Sequence, residues 1–248
     1  MLEGFLLRLA QHPDAEAFAL RGGMLVRHWF PEARRPVRDV DLVCSLPFDA
    51  RGMRERVGVI LSDRRIDDGI EYDPERFRFN VLWPESPHPG LRLFAVGRVD
   101  GWCQDVTVDF THRLDVWPRA ERTSFVAARG EAKLWTCPPE MLIGRKLQVT
   151  VELGRRHWRP KDLYDLWMML RRRTPSRDVL GEAIERSFVG HLGAERLDDV
   201  LGRSSWWAED RARMRWGHFV RCVRQAPADL EMVVEEVRSH LATHGGSR

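Results

Sequence analysis

The sequence predicts an α/β (α+β) chain: a small mixed β-sheet with flanking helices over residues 1–137, followed by a helical C-terminal half over residues 138–248. Three observations carry this expectation. Runs that alternate apolar and polar residues, as half-buried strands do, lie in the first part, at 37–43, 76–83, 91–99 and 105–110. From Pro138 onward the apolar residues recur instead at three- and four-residue intervals, the spacing of helix faces. Between a short apolar run at 18–20 and an apolar segment at 24–30 stands Gly22-Gly23, the punctuation of a strand, a turn and a helix.

Each element has its own signal. Leu2, Phe5, Leu6 and Leu9 fall at helical spacing around Glu3 and Arg8, so the N-terminus reads as an amphipathic helix rather than a signal peptide. After strand 18–20 and the glycine turn, Pro31 stops the helix at 24–30, and a basic loop with Arg34 and Arg35 leads to strand 37–43. There Val40 and Leu42 face one way, and Asp39, Asp41 and Val43 the other. Met53, Val57, Ile60 and Leu61 give 48–61 a helical face, whereas 62–74 is polar and reads as irregular. Phe77, Phe79 and Val81 alternate along the next strand. The loop 84–90, PESPHPG, then precedes strand 91–99, so at least one hairpin is expected. Along 105–110, Val106, Val108 and Phe110 face opposite to Asp105, Thr107 and Asp109. In the second half, 140–153 is helical despite Gly144, 154–159 is a basic loop, and Pro160 opens a helix with Leu163, Leu166, Trp167 and Leu170 as its stripe. Helical periodicity continues over 179–188, 197–201, 206–224 and 230–241. Trp206, Trp207 and Trp216 are core anchors or a base-stacking surface. The core is favoured, because tryptophan carries a large apolar area to bury.

Composition narrows the class. With 43% hydrophobic and 31% charged residues over 248 positions, the chain is of ordinary globular make-up and long enough for one large or two modest domains. The net charge is +3, about −1 over residues 1–137 and about +4 over 138–248, which permits a nucleic acid partner without demanding one. All the positive side chains except Lys133, Lys146 and Lys161 are arginines, which singles out those three. Four cysteines without paired spacing argue against a zinc site or a disulfide framework and fit a reducing, cytoplasmic setting. No run approaches the roughly 20 apolar residues of a membrane span, and no membrane partner is expected.

The chemistry gathers around Asp39 and Asp41. Residues i and i+2 of a strand point to one face, so both carboxylates can converge on a divalent cation. Left without a cation, each would disfavour the other's ionised state. A glycine-opened helix start offers backbone N–H groups to a phosphate without an obstructing side chain. A D-x-D or a Gly-Gly alone is a weak signal, but strand, glycine turn, helix and D-x-D strand in this order resemble the nucleotidyltransferase superfamily. A second motif narrows the resemblance to its AbiEii/AbiGii-type toxins: Lys146 on a helix, the basic Arg155-Arg156, and Lys161-Asp162-Leu163-Tyr164-Asp165-Leu166 opening the next helix.

The resemblance covers residues 15–172. It implies metal-dependent transfer of a nucleoside monophosphate from an NTP to an acceptor hydroxyl, the 3′ end of a tRNA or another, by a toxin paired with an antitoxin protein. Mg²⁺ or Mn²⁺ would be held by Asp39 and Asp41, with a third carboxylate on a later strand, Asp109 or, in reserve, Asp105. Lys146 would contact a phosphate and Asp165 would complete the active site, while Gly22, Gly23, Arg38, Lys161 and Asp162 would complete the nucleotide contacts. Asp162 also suits a first helical turn with no function at all, and Lys146 could be an ordinary surface lysine. Residues 1–137 are then the catalytic domain, and 138–248 a helical domain expected to complete its cleft. A D-x-D glycosyltransferase and an inactive nucleotide- or RNA-binding module of the same fold are the alternatives.

Overall fold

A computed structural model describes residues 1–33, 35–63, 65–173, 176–189, 201 and 206–244. They form two compact units, Met1–His28 with Val37–Cys137, and Trp29–Pro36 with Pro138–Arg248.

The first unit contains α1 (Leu2–Ala10), β1 (Phe18–Arg21), the start of α2 (Gly22–Trp29), β2 (Asp39–Cys44), α3 (Ala50–Ser62), β3 (Glu71–Tyr72), β4 (Arg78–Leu82), β5 (Gly90–Val99), β6 (Trp102–His112), β7 (Glu121–Ala127) and β8 (Gly130–Thr136). One mixed eight-stranded sheet runs β3-β5-β6-β2-β1-β8-β7, with β4 also paired to β5. The β2–β6 and β1–β8 pairs are parallel. Register follows the apolar pattern: Leu91 stands opposite Phe110, Leu93 opposite Val108 and Ala95 opposite Val106, while Val108 and Phe110 pair with Val40 and Leu42. All of these side chains are buried, as are Phe5, Leu6 and Leu9 of α1 and Met53, Val57 and Ile60 of α3. Phe5 and Phe18 both meet Phe110 edge-on, at 6.5 and 5.9 Å between ring centroids. The main core thus lies on one face of the sheet, and the other face of β2, β5 and β6 carries Asp39, Asp41, Asp109 and Arg92 beside Val43, Phe94 and Val96.

Three features depart from the sequence reading. The stretch 62–74 contains β3 and is pinned by Asp68, whose buried carboxylate accepts from Arg8 Nε at 2.9 Å and Nη2 at 2.7 Å. The hairpin β7–β8 was not expected, because Glu121, Arg122, Ser124, Glu131 and Lys133 are exposed and only small or isolated residues such as Phe125, Ala127, Ala132 and Leu134 are buried. Val81 of β4 is 47% exposed, since β4 pairs only with β5 and lies at the border of the sheet.

The second unit is helical: α4 (Pro139–His157), α5 (Pro160–Arg172), α6 (Arg177–Phe188), α7 (Asp210–Cys222) and α8 (Leu230–His244). The basic segment expected as a loop at 154–159 is largely the last turn of α4, which resumes after Gly154 at φ 54° and ψ −167°. Gly144 lets α4 close on α6, for a Cβ there would stand 2.4 Å from Ser187 Oγ and 2.7 Å from the Ala183 carbonyl oxygen. Trp207 and Trp216 are core residues, with Trp206 and Trp158 against Trp207. The helix expected at 197–201 lies, apart from Leu201, outside the described residues. Among the described residues no helix is long and apolar enough to cross a membrane.

Candidate active site

The polar face of the first unit is built outward from Gly22. β1 ends at Arg21, and Gly22 takes φ +70°, a backbone conformation glycine adopts without steric cost. A Cβ at Gly22 would lie 2.0 Å from Asp41 Oδ2 and 2.6 Å from Asp41 Cγ, so the carboxylate fills the space a side chain would need. The helix therefore begins at the glycines themselves, not at Met24, and its first backbone N–H groups open beside Asp41. Neither Gly22 nor Gly23 obstructs them with a side chain.

Strand register places four charges in one row. Arg21 is opposite Asp41 on β2, Asp41 is opposite Asp109 on β6, and Asp109 is opposite Arg92 on β5. Cross-strand partners share a face, and neighbouring strands are about 4.8 Å apart, so two carboxylates stand side by side with an arginine at each end. Asp39, two residues before Asp41, adds a third carboxylate to this face opposite Thr107. Asp109 is 9% exposed. Asp105, exposed opposite Val96, is four residues and roughly 13 Å down the strand. Of the two candidates for the later-strand carboxylate, Asp109 is the one in the row.

Arg92 grips Asp109 with both arms, Nε to Oδ1 and Nη2 to Oδ2, each at 2.6 Å. The Asp109 hydrogen bond raises the Arg92 pKa despite partial burial, and the charges of Asp109, Asp39 and Asp41 raise it further. At the other end Arg21 Nη2 donates to Thr111 Oγ1 at 2.8 Å, and its buried Nε has no hydrogen-bond partner. Neither arginine belongs to the motifs around Asp39 and Asp41, because both reach them only through strand register. A signal for Arg92 was there: Asp100 and Gly101, at φ 50° and 81°, form a two-residue turn that sets Val99 opposite Trp102. Seven residues further along each strand, Arg92 meets Asp109.

Asp39 and Asp41 suit a hard divalent cation. They are oxygen donors on one half-exposed face, and Mg²⁺ is commonly held by one or two carboxylates, with waters and substrate phosphates completing its shell. Among the described residues no three His, Cys, Asp or Glu side chains form a ready cage, consistent with Asp109 being turned to Arg92. The fit is to an open two-carboxylate site.

In the second unit, α4 and α5 bring together Lys146, Asp162 and Asp165. Lys146 Nζ lies 2.8 Å from Asp162 Oδ1 and 2.8 Å from Asp165 Oδ2. Arg35, in the segment before β2, holds Asp165 through Nε at 2.8 Å and Nη2 at 2.9 Å. Asp165 is only 1% exposed, and the quartet of two cations and two anions is neutral. Burial alone would lower the Lys146 pKa, but Asp162 and Asp165 outweigh it and raise it. Burial would likewise raise that of Asp162, but the Lys146 charge and hydrogen bond bring it down. Lys161 is half-buried beside Asp162, and Arg38 is exposed. Arg35, expected in a basic loop, is 8% exposed and committed to Asp165; Arg34 lies outside the described residues. Arg155 is exposed but paired with Glu209 at 2.9 Å, leaving exposed Arg156 and Arg159 on that segment.

Comparison with known proteins bears on this geometry. The family model described as "Nucleotidyl transferase AbiEii toxin, Type IV TA system" matches residues 4–236. A crystal structure of a candidate nucleotidyltransferase from H. pylori aligns over 98% of this chain and 90% of its own, at 15% identity and a TM-score of 0.56. JHP933 from Helicobacter pylori aligns over 98% and 88%, also at 15% identity, with a TM-score of 0.55. At that identity these two structures speak for the fold. No curated protein matches the chain.

Proposed function

The chain belongs to the AbiEii family of nucleotidyltransferase toxins and is a nucleotidyltransferase, and from that premise we propose that the transfer is carried by the polar sheet face of its first unit. The observation that carries this reading is the seating of the Asp41 carboxylate in the space a Gly22 side chain would occupy, in register with Asp109. This puts backbone amides suited to an anion and carboxylates suited to a cation at one corner of the sheet.

In this reading the substrate is an NTP whose phosphates rest on the Gly22 and Gly23 amides at the start of α2. Asp39 and Asp41 hold Mg²⁺ or Mn²⁺, which offsets charge on the triphosphate and on departing pyrophosphate. Little covalent chemistry is required of the protein, so placement and electrostatics supply the rate. Asp109 is assigned as the third carboxylate; without nucleotide it is held by Arg92. Arg38 is exposed just before the D-x-D strand and is assigned to the nucleotide. In the second unit, Lys146 has three donors, two of them pointed at carboxylates, and we assign the third to a phosphate oxygen. Asp162 and Asp165 hold that lysine, and Lys161 with Asp162 is assigned to the nucleotide; the enclosure of Asp165 by Arg35 and Lys146 favours a positioning role over contact with reacting atoms.

The acceptor proposed is a hydroxyl of RNA, a tRNA 3′ end foremost. Exposed Arg156 and Arg159 are of the kind that meet a phosphate backbone. A toxin of a type IV toxin–antitoxin family implies an antitoxin as partner. The test is incubation with each labelled NTP, Mg²⁺ and total RNA. Label should enter RNA, and both chelation and D41N should abolish incorporation. Nucleotide binding without transfer would point to an inactive module, and turnover of a sugar nucleotide to a glycosyltransferase.

A further inference from the structure

Among the described residues, the polar row carries three carboxylates and two arginines. Within the row, Asp39, Asp41 and Asp109 set three negative charges against the described arginines Arg21 and Arg92, and Arg92 makes a two-armed bond to Asp109. Its guanidinium takes both oxygens of Asp109, the oxygens a cation bound at Asp41 would find next, one strand away. The β5–β6 ladder is already complete from Gly90 to Val99 through backbone pairing, and the Arg92 side chain is 36% exposed, so neither the hairpin nor the core depends on this contact. A dication placed on Asp39 and Asp41 would turn the surplus negative charge of the row into a positive one and repel the guanidinium.

We propose that Arg92 is a positioning residue that competes with the divalent cation for Asp109, holding that carboxylate in the substrate-free protein and releasing it when cation and triphosphate are bound. The inference rests on the cation reading above and deepens it. Released beside a triphosphate, an arginine has a bidentate partner in a phosphate, so its departure from Asp109 does not strand a charge. The protein would then favour a cation that arrives with its nucleotide over a bare one.

The experiment is Mn²⁺ titration of the full chain without nucleotide, followed by the electron paramagnetic resonance of free Mn²⁺. Wild type is compared with R92Q, R92K, D109N, R92Q/D109N and D41N, each checked by circular dichroism. R92Q frees Asp109 as a further ligand and should bind Mn²⁺ on the order of tenfold more tightly, about 1.4 kcal/mol. D109N should bind about as wild type does, and the double variant should return to the D109N value. R92K, which keeps the charge but not the two-armed grip, should fall between wild type and R92Q, and it carries the test if R92Q does not fold. A nucleotide-free affinity in R92Q equal to wild type, or a gain that survives D109N, overturns the proposal while leaving the cation site in place. Mn²⁺ binding undiminished in D41N overturns the cation reading, and this inference with it.

Discussion

At the scale of single residues, Gly22 is where one methyl group should do most harm. Its φ of +70° disfavours any L side chain, and its missing Cβ is the seat of the Asp41 carboxylate. G22A is expected to cost about 1–3 kcal/mol of stability, the range for a strained backbone site. It should lower transfer by about a hundredfold, since a displacement near 1 Å at a catalytic group has that effect. Thermal melting and label incorporation would separate the two, and full activity in G22A would refute the seating argument. The Lys146 network gives a prediction in pH. Asp162 stands below its ordinary value of 3.8, so its contribution is present above that pH and is lost as pH falls through the folded value. Lys146 stands above 10.5, so its contribution is present below that pH and is lost as pH rises through the folded value. The pair is therefore fully effective between about pH 4 and pH 10.5, and acid unfolding of D162N should be less steep below pH 4 than that of wild type. Equal acid limbs in urea titrations at stepped pH would count against the pairing.

At the scale of elements, the close approach of α4 and α6 at Gly144 can be probed in the same way. A Cβ would be 2.7 Å from the Ala183 carbonyl oxygen, a backbone atom that cannot step aside without moving α6. G144A should thus destabilise by about 1–3 kcal/mol, although alanine is the better helix former; a stabilised variant in denaturant melts would show that the helices part easily. Helical spacing alone places Gly144 inside a helix, whereas its neighbour across the packing, Ala183, lies 39 residues away in the chain. Elements were legible where periodicity was strong and uninterrupted, as in β2, β5, β6 and α5, because burial on one face writes itself into every second or every third-to-fourth residue. The β7–β8 hairpin was not, since its buried side is alanine-rich and its outer side charged. Of the polar face, Asp39, Asp41 and the glycines were legible because they lie close in sequence. Arg21 and Arg92 join it only through strand register, which a one-residue slip would abolish, and Arg35 joins Asp165 across 130 residues.

At the scale of the whole molecule, the path of the chain matters more than its linear division at Cys137. Trp29–Pro36 belongs to the second unit although first-unit segments flank it on both sides. That excursion delivers Arg35, one of the two cations around Asp165. A fragment of residues 138–248 therefore keeps Asp162, Asp165 and Lys146 but loses Arg35, leaving two carboxylates to share one cation at a site where Asp165 is 1% exposed. Removing one partner of a buried ion pair costs about 3–5 kcal/mol, a large share of the roughly 5–15 kcal/mol by which domains are stable. The fragment should accordingly melt without a cooperative transition, or well below the second unit's transition in the intact chain. Fusing residues 29–36 back through a flexible linker should recover part of the loss. In the full chain R35M should show a comparable destabilisation, and R35M/D165L should relieve much of it by removing the unpaired charge along with its partner. A fragment as stable as the intact unit, or an R35M chain that melts like wild type, would mean that Lys146 alone balances both carboxylates.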